Sequence, residues 1–371
     1  MTRTSTALQL QRQRDALLRA GLWMLLGLAA VAAAVLDPAA ASRQRVILSG
    51  LCAVLALGAL GSAAAAGRTG RAGLGITTAS MVVLGVSAGV LAVPAGLPDR
   101  GELSVFLGAA VAALLLAVLI AADPARTLRG AHRLLLTVAL VVVALSGAAL
   151  LLGWPGSVVA AVLVGASPLA LHALPATSIS VPDGQLLEYG VLMRARWTVR
   201  GVIPSKSHPL SAGDVDPLLE QARRRLDVGT VVFCALPAVA FPVVLAQATG
   251  AVEQISALVL VAFAMLSLLL LPRTHSGALR RTVPRVAAGV LALEYLSAAA
   301  PAQPAAVLGV AAGLLVVALV AALAVAPIRK GFRSLGLSRA ADLLQGLSLA
   351  FVLPAALVAG GCIDVIRGMM A

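Results

Sequence analysis

The chain has 371 residues, 60% hydrophobic and only 12% charged, with a mean hydropathy of +1.01. A soluble domain is about a quarter charged and could not hide so much apolar surface, so a soluble globular fold is excluded and lipid must replace the interior solvent. The formal charge of +13 does not indicate nucleic acid: aromatic residues make up 3%, too few for a stacking platform, and the cations sit in short segments between apolar runs, where topology and anionic headgroups account for them.

The composition and apolar runs predict an all-α, polytopic membrane protein of about 11 transmembrane helices. A short N-terminus, 1–17, is expected to be cytoplasmic. The apolar run after it is long enough to span, so it is not read as a cleavable leader. The predicted spans are 18–36, 46–66, 75–97, 104–122, 134–152, 156–175, 228–249, 252–272, 283–300, 303–326 and 344–366. The six spans of 18–175 and the five of 228–371 flank one long loop, 176–227. The third and ninth spans are the weakest, because the third contains Pro94 and the ninth is short and carries Glu294.

Charge tests this arrangement independently of hydropathy. With the N-terminus inside and every span real, 24 of the 28 Lys and Arg residues fall on the cytoplasmic side, and only Arg43, Arg45, Arg100 and Arg367 fall outside. Removing or adding one span would invert every later loop and destroy this bias. The expected orientation is therefore N-terminus in the cytoplasm and C-terminus outside, in the cytoplasmic (inner) cell membrane.

The long loop begins irregularly, through Pro182, Pro204 and Pro209, and ends as a helix. Asp216 followed by Pro217 suits an N-cap and a first helical position, and Glu220 and Arg224 are spaced for an i,i+4 pair. This helix is expected to run without a break into the seventh span. Its cluster Arg223, Arg224 and Arg225 serves either as a membrane anchor or as a docking surface for a partner. Earlier in the loop, Arg194, Arg196, Trp197 and Arg200 form a basic patch around an indole, which suits the headgroup layer better than a protein contact.

Few ionisable groups lie inside the spans. Glu294, in Leu291-Ala292-Leu293-Glu294-Tyr295, is the clearest, and His172 lies in the sixth span. They form the candidate intramembrane polar site, with a structural role favoured over transport or gating for Glu294. No phosphate-binding Gly-rich Lys-Ser/Thr loop and no His-Glu-x-x-His motif occurs. One Gly-x-Ser-x-Gly match, Gly85-Val86-Ser87-Ala88-Gly89, sits inside an apolar span and lacks the strand that a nucleophile elbow needs. Cys52, Cys234 and Cys362 lie in or beside apolar runs without metal-like spacing, and the four histidines are scattered. No catalytic residues, cofactor or metal are expected. Small residues recur at close-packing spacing, as in Gly58 with Ser62 and Gly309 with Gly313.

The order of these features resembles EccD, the multi-spanning membrane component of type VII (ESX) secretion systems of actinobacteria. The resemblance runs over roughly 18–368. It rests on the single long loop between the sixth and seventh spans and on its terminal helix Asp214–Asp227. It rests also on Leu268-Leu269-Leu270-Leu271-Pro272-Arg273-Thr274-His275 after the eighth span, and on the ending Phe351-Val352-Leu353-Pro354 then Gly360-Gly361-Cys362-Ile363-Asp364-Val365-Ile366-Arg367-Gly368. EccD proteins usually begin with a ubiquitin-like cytoplasmic domain, for which the residues before the first span are too few. The resemblance implies a non-catalytic scaffold subunit that dimerises around a lipid-filled vestibule. Its implied partners are a separate motor ATPase, other secretion subunits and membrane lipids. The contacts that the missing domain makes with the motor are expected to be absent or supplied by another chain. The alternative is a stand-alone transporter or lipid permease, which requires an internal repeat and a polar site near the midplane.

Overall fold

The computed structural model describes residues 42–69, 74–94, 100–122, 129–178, 212–248, 250–275, 277–299 and 335–370, together with the isolated positions 21, 97, 308, 309, 312 and 315. Among the described residues the elements are helical. They are α1 (Ser42–Thr69), α2 (Leu74–Ala92), α3 (Arg100–Ala122), α4 (Arg129–Leu152), α5 (Gly156–Ser178), α6 (Ala212–Gln247), α7 (Ala251–Leu270), α8 (Ala278–Ala299), α9 (Leu335–Ala359) and α10 (Cys362–Met370), with a 3-10 turn at Leu271–Thr274 after α7.

Eight of these helices, α1 to α7 and α9, are long and apolar enough to cross a membrane. They fall on the predicted spans 46–66, 75–97, 104–122, 134–152, 156–175, 228–249, 252–272 and 344–366. The predicted 18–36 and 303–326 lie almost wholly outside the described residues. The predicted ninth span is a helix, α8, but does not reach the apolarity of the others, because Arg285 and Glu294 dilute it and Arg280 and Arg281 precede it.

Several boundaries differ from the expectation, each for a local reason. The third span stops at Ala92 rather than at 97, because the residue before Pro94 is pushed out of helical conformation. The sixth runs on through Pro175 to Ser178. α6 starts at Ala212, so Asp216 and Pro217 lie inside it rather than at its cap. The last predicted span is not one helix: α9 ends at Ala359 and α10 begins at Cys362. Gly361 between them has φ +81°, a left-handed conformation that glycine adopts without a Cβ penalty. Gly153, with φ +67°, ends α4 in the same way, and the Trp154 N–H closes onto the Ala149 carbonyl at 2.9 Å.

The described chain divides into two compact units. The first comprises Met1–Ala88, Ala110–Ala139 and Ala173–Gly229. Its core packs Ala56, Ala59 and Ala63 of α1 against Met81 and Leu84 of α2 and Leu115, Leu116 and Leu119 of α3. The alanines recur at helical spacing, so one smooth stripe of α1 faces its neighbours. The small pair expected to pack, Gly58 and Ser62, faces outward instead. Gly313, of the other expected pair, lies outside the described residues.

The second unit comprises Gly89–Ala109, Leu140–His172 and Thr230–Ala371. Here α2 and α3 approach backbone to backbone: a Cβ on Gly89 would stand 2.6 Å from the Gly108 Cα. α9 lies along α7, with Phe263 and Phe351 stacked at 5.9 Å between ring centroids and Ser267 Oγ donating to Ser348 Oγ at 2.9 Å. At one end of this pair Arg273 Nη2 meets Asp342 Oδ1 at 2.7 Å.

Candidate functional site

α6 builds the basic end of the first unit. Its 36 residues form a single helix, so the polar stretch around Glu220 and the apolar run after Asp227 are one element. Glu220 accepts from Arg224 Nε at 2.8 Å, the i,i+4 pair read from the spacing. The Gln221 side chain lies against Gly130 of α4, where a Cβ would come within 3.1 Å of its Nε2. A turn or two further on, Gly229 lets Leu174 of α5 and Leu134 of α4 close onto the helix backbone. This packing seats one side of α6 and leaves Arg223 exposed, with Arg224 partly exposed. Arg225 is partly exposed like Arg224, but its Nε is sealed from solvent without a hydrogen-bond partner among the described residues. Arg129 and Arg133 lie at the same end of α4, next to Gly130, so cations of two helices converge at one end of the unit. Arg194, Arg196, Trp197 and Arg200 lie outside the described residues.

The intramembrane candidates lie on different helices. His172 is exposed on α5, while Glu294 on α8 is half-buried, with Oε2 shielded from solvent and no hydrogen-bond partner among the described residues. No hydrogen bond joins the two. Glu253, another carboxylate near a span end, accepts from the Gly250 N–H at 3.1 Å and closes the first turn of α7.

The polar groups with defined geometry are ones that composition did not mark. The first turn of α5 needs acceptors for its free N–H groups. Glu102 Oε1 of α3 accepts from Gly156 N at 2.7 Å, and Gln247 Oε1 at the end of α6 accepts from Ser157 N at 2.9 Å. Ser157 Oγ then donates to the Gly360 carbonyl at 2.9 Å, so one helix start is tied to α3, α6 and the end of α9. In the first unit, buried Thr78 and His132 meet at 3.3 Å between Oγ1 and Nε2. Only Glu102 carried a readable signal, an acidic residue in a first turn; the others look like ordinary small or scattered polar residues.

Ser87 of the Gly-x-Ser-x-Gly match lies in the middle of α2 and donates to the Val83 carbonyl at 2.8 Å, the ordinary back-bond of a helical serine. Among the described residues, no three His, Cys, Asp or Glu side chains come together in a way that could hold a metal ion.

No family model and no curated protein matches the chain. Solved structures do. The chain matches protomer 1 of the ESX-3 core complex with a TM-score of 0.63 and 19% identity, over 98% of this chain and 77% of that one. It matches the MycP5-free ESX-5 inner membrane complex in State II with a TM-score of 0.52 and 19% identity, over 88% of this chain and 76% of that one. The fold is that of an ESX membrane subunit. The ESX fold and the sequence resemblance to EccD thus point the same way, one from backbone geometry and the other from the order of loops and motifs. With the apolar helices of this fold, the chain is a multi-pass membrane protein.

Proposed function

We propose that this chain is a scaffold subunit of a type VII secretion complex in the inner membrane. In this reading it is non-catalytic, crosses the membrane about 11 times with the N-terminus inside and the C-terminus outside, and forms a homodimer around a lipid-filled vestibule. A separate ATPase supplies the energy. The observation that carries the reading is the ESX-3 match, because it extends over 98% of the chain rather than over a few helices.

The site residues take roles within it. Arg194, Arg196, Trp197 and Arg200 meet the headgroup layer, and Arg223, Arg224 and Arg225 present a cationic surface to a partner subunit or to anionic lipid. Glu294 and His172 are intramembrane polar positions. The competing reading, a stand-alone transporter or lipid permease, draws on the shielded, unpartnered Oε2 of Glu294.

The test is to tag the chain, extract it gently from its native membrane and identify what co-purifies. Recovery of a motor ATPase and other membrane subunits in fixed ratio is the expected result. A chain recovered alone, together with an uptake activity lost in Glu294→Gln, would replace the scaffold with the transporter.

A further inference from the structure

α10 is the shortest helix among the described residues and the one whose sequence is most strongly two-faced. It follows the span α9 after only Gly360 and Gly361. The Gly360 N–H bonds the Ala356 carbonyl at 2.8 Å and the Gly361 N–H bonds the Val358 carbonyl at 3.1 Å, which completes α9. The Gly361 carbonyl then accepts from Val365 N and opens α10. With Gly361 left-handed, the new helix cannot continue the old axis.

The joint is held in place. A Cβ on Gly360 would stand 2.9 Å from the Val158 Cα and 3.1 Å from the Ala161 Cβ, and the Gly360 carbonyl accepts from Ser157 Oγ. The first turn of α5 thus clamps the point where the chain turns. α10 therefore starts at the very end of a membrane span, on a joint fixed by packing.

Two of its described side chains are apolar and exposed. Ile363 is 40% exposed and Ile366 is 54% exposed, three residues apart and therefore on one face, and Arg367, four residues after Ile363, is exposed at the edge of that face. α9 before it also exposes large apolar side chains, Leu347 and Leu357 among them, as lipid-facing positions of a span are. We infer that α10 lies in the plane of the membrane at its surface, with Ile363 and Ile366 dipping into the boundary between headgroups and acyl chains and Arg367 at headgroup level. Its ligand is the bilayer itself. The inference needs only that the chain spans a membrane, and it stands or falls separately from the secretion reading.

The test uses the full chain reconstituted in phosphatidylglycerol-containing vesicles. Cys52, Cys234 and Cys362 are replaced by alanine, and a nitroxide is attached in turn at Ile363→Cys, Ile366→Cys and Arg367→Cys. The expected result is collision with oxygen exceeding collision with an aqueous nickel chelate at 363 and 366, with a lower oxygen-to-chelate ratio at 367, at the edge of the face. Equal access to the chelate at all three positions would place the helix in water and overturn the inference. Exclusion of both reagents at 363 and 366 would place the helix against protein and overturn it equally. If the cysteine replacements prevent folding, Ile366→Trp in the otherwise natural chain decides the matter. Lipids brominated near the headgroup should quench the added fluorescence, and its absence of quenching would refute the surface placement.

Discussion

The two units combine close packing and inter-helix hydrogen bonds in different ways. The first closes on a stripe of alanines with leucines and a methionine from two other helices, whose selectivity lies in shape. The second is cross-linked by polar side chains between segments far apart in sequence: Glu102 to Gly156, Gln247 to Ser157, Ser157 to Gly360, Ser267 to Ser348 and Arg273 to Asp342. In lipid, burying an apolar side chain against protein gains little over burying it against acyl chains. Close packing and inter-helix hydrogen bonds therefore decide association. Both units use both: in the first, Thr78 meets His132 and Ser49 donates to the Ala88 carbonyl alongside the packing, and in the second such bonds join segments up to 203 residues apart.

Four variants would break or sharpen this contrast, each measured by reversible unfolding in mixed detergent–lipid micelles. Leu116→Ala in the first unit should cost most, about 2 kcal/mol, because the void left among Met81, Leu84 and Leu119 loses its contacts even though transfer from water plays little part. Glu102→Ala in the second unit should cost about 1.5 kcal/mol, since it leaves the Gly156 N–H without its acceptor; Glu102→Gln keeps an acceptor and should cost less. A double-mutant cycle on Ser267→Ala and Ser348→Ala should give a coupling of about 0.6 kcal/mol, the usual size for a hydrogen bond between membrane helices. Glu220→Ala should lose no more than about 0.3 kcal/mol, and that loss should vanish at high salt, because its pair with Arg224 is nearly half exposed. A Leu116→Ala cost below that of Glu102→Ala would mean that the first unit does not depend on its packing.

The eight apolar helices were legible because each carries its own signal, a run of about 20 apolar residues bounded by charge or proline. What needed the structure was everything set between helices. Ser157 and Gly360 are 203 residues apart, and nothing in either neighbourhood announces the other. The direction of α1 was also hidden: Gly58 and Ser62 fit the small-residue pattern as well as Ala59 and Ala63 do, and only the neighbouring helices decide which pair packs. The break at Gly361 was invisible to hydropathy, which averages across a two-residue turn. The candidate cations Arg223 to Arg225 were found by charge alone, but that Arg223 is exposed while the Nε of Arg225 is shielded depends on how α6 is seated.

The length of α6 has a mechanical consequence. At 1.5 Å per residue its 36 residues extend about 54 Å, well beyond the roughly 30 Å of hydrocarbon, so a long polar arm projects from the bilayer as the same rod that crosses it. A rod without a joint at the surface cannot absorb a push on its outer end by local flexing. Its weak points are Pro237 and Pro242, where backbone hydrogen bonds are missing, and both lie within the apolar run. Between the arm at Arg223 and those prolines, the contacts at Gly130 and Gly229 hold the rod against its neighbours, so the arm is braced where it enters the apolar run.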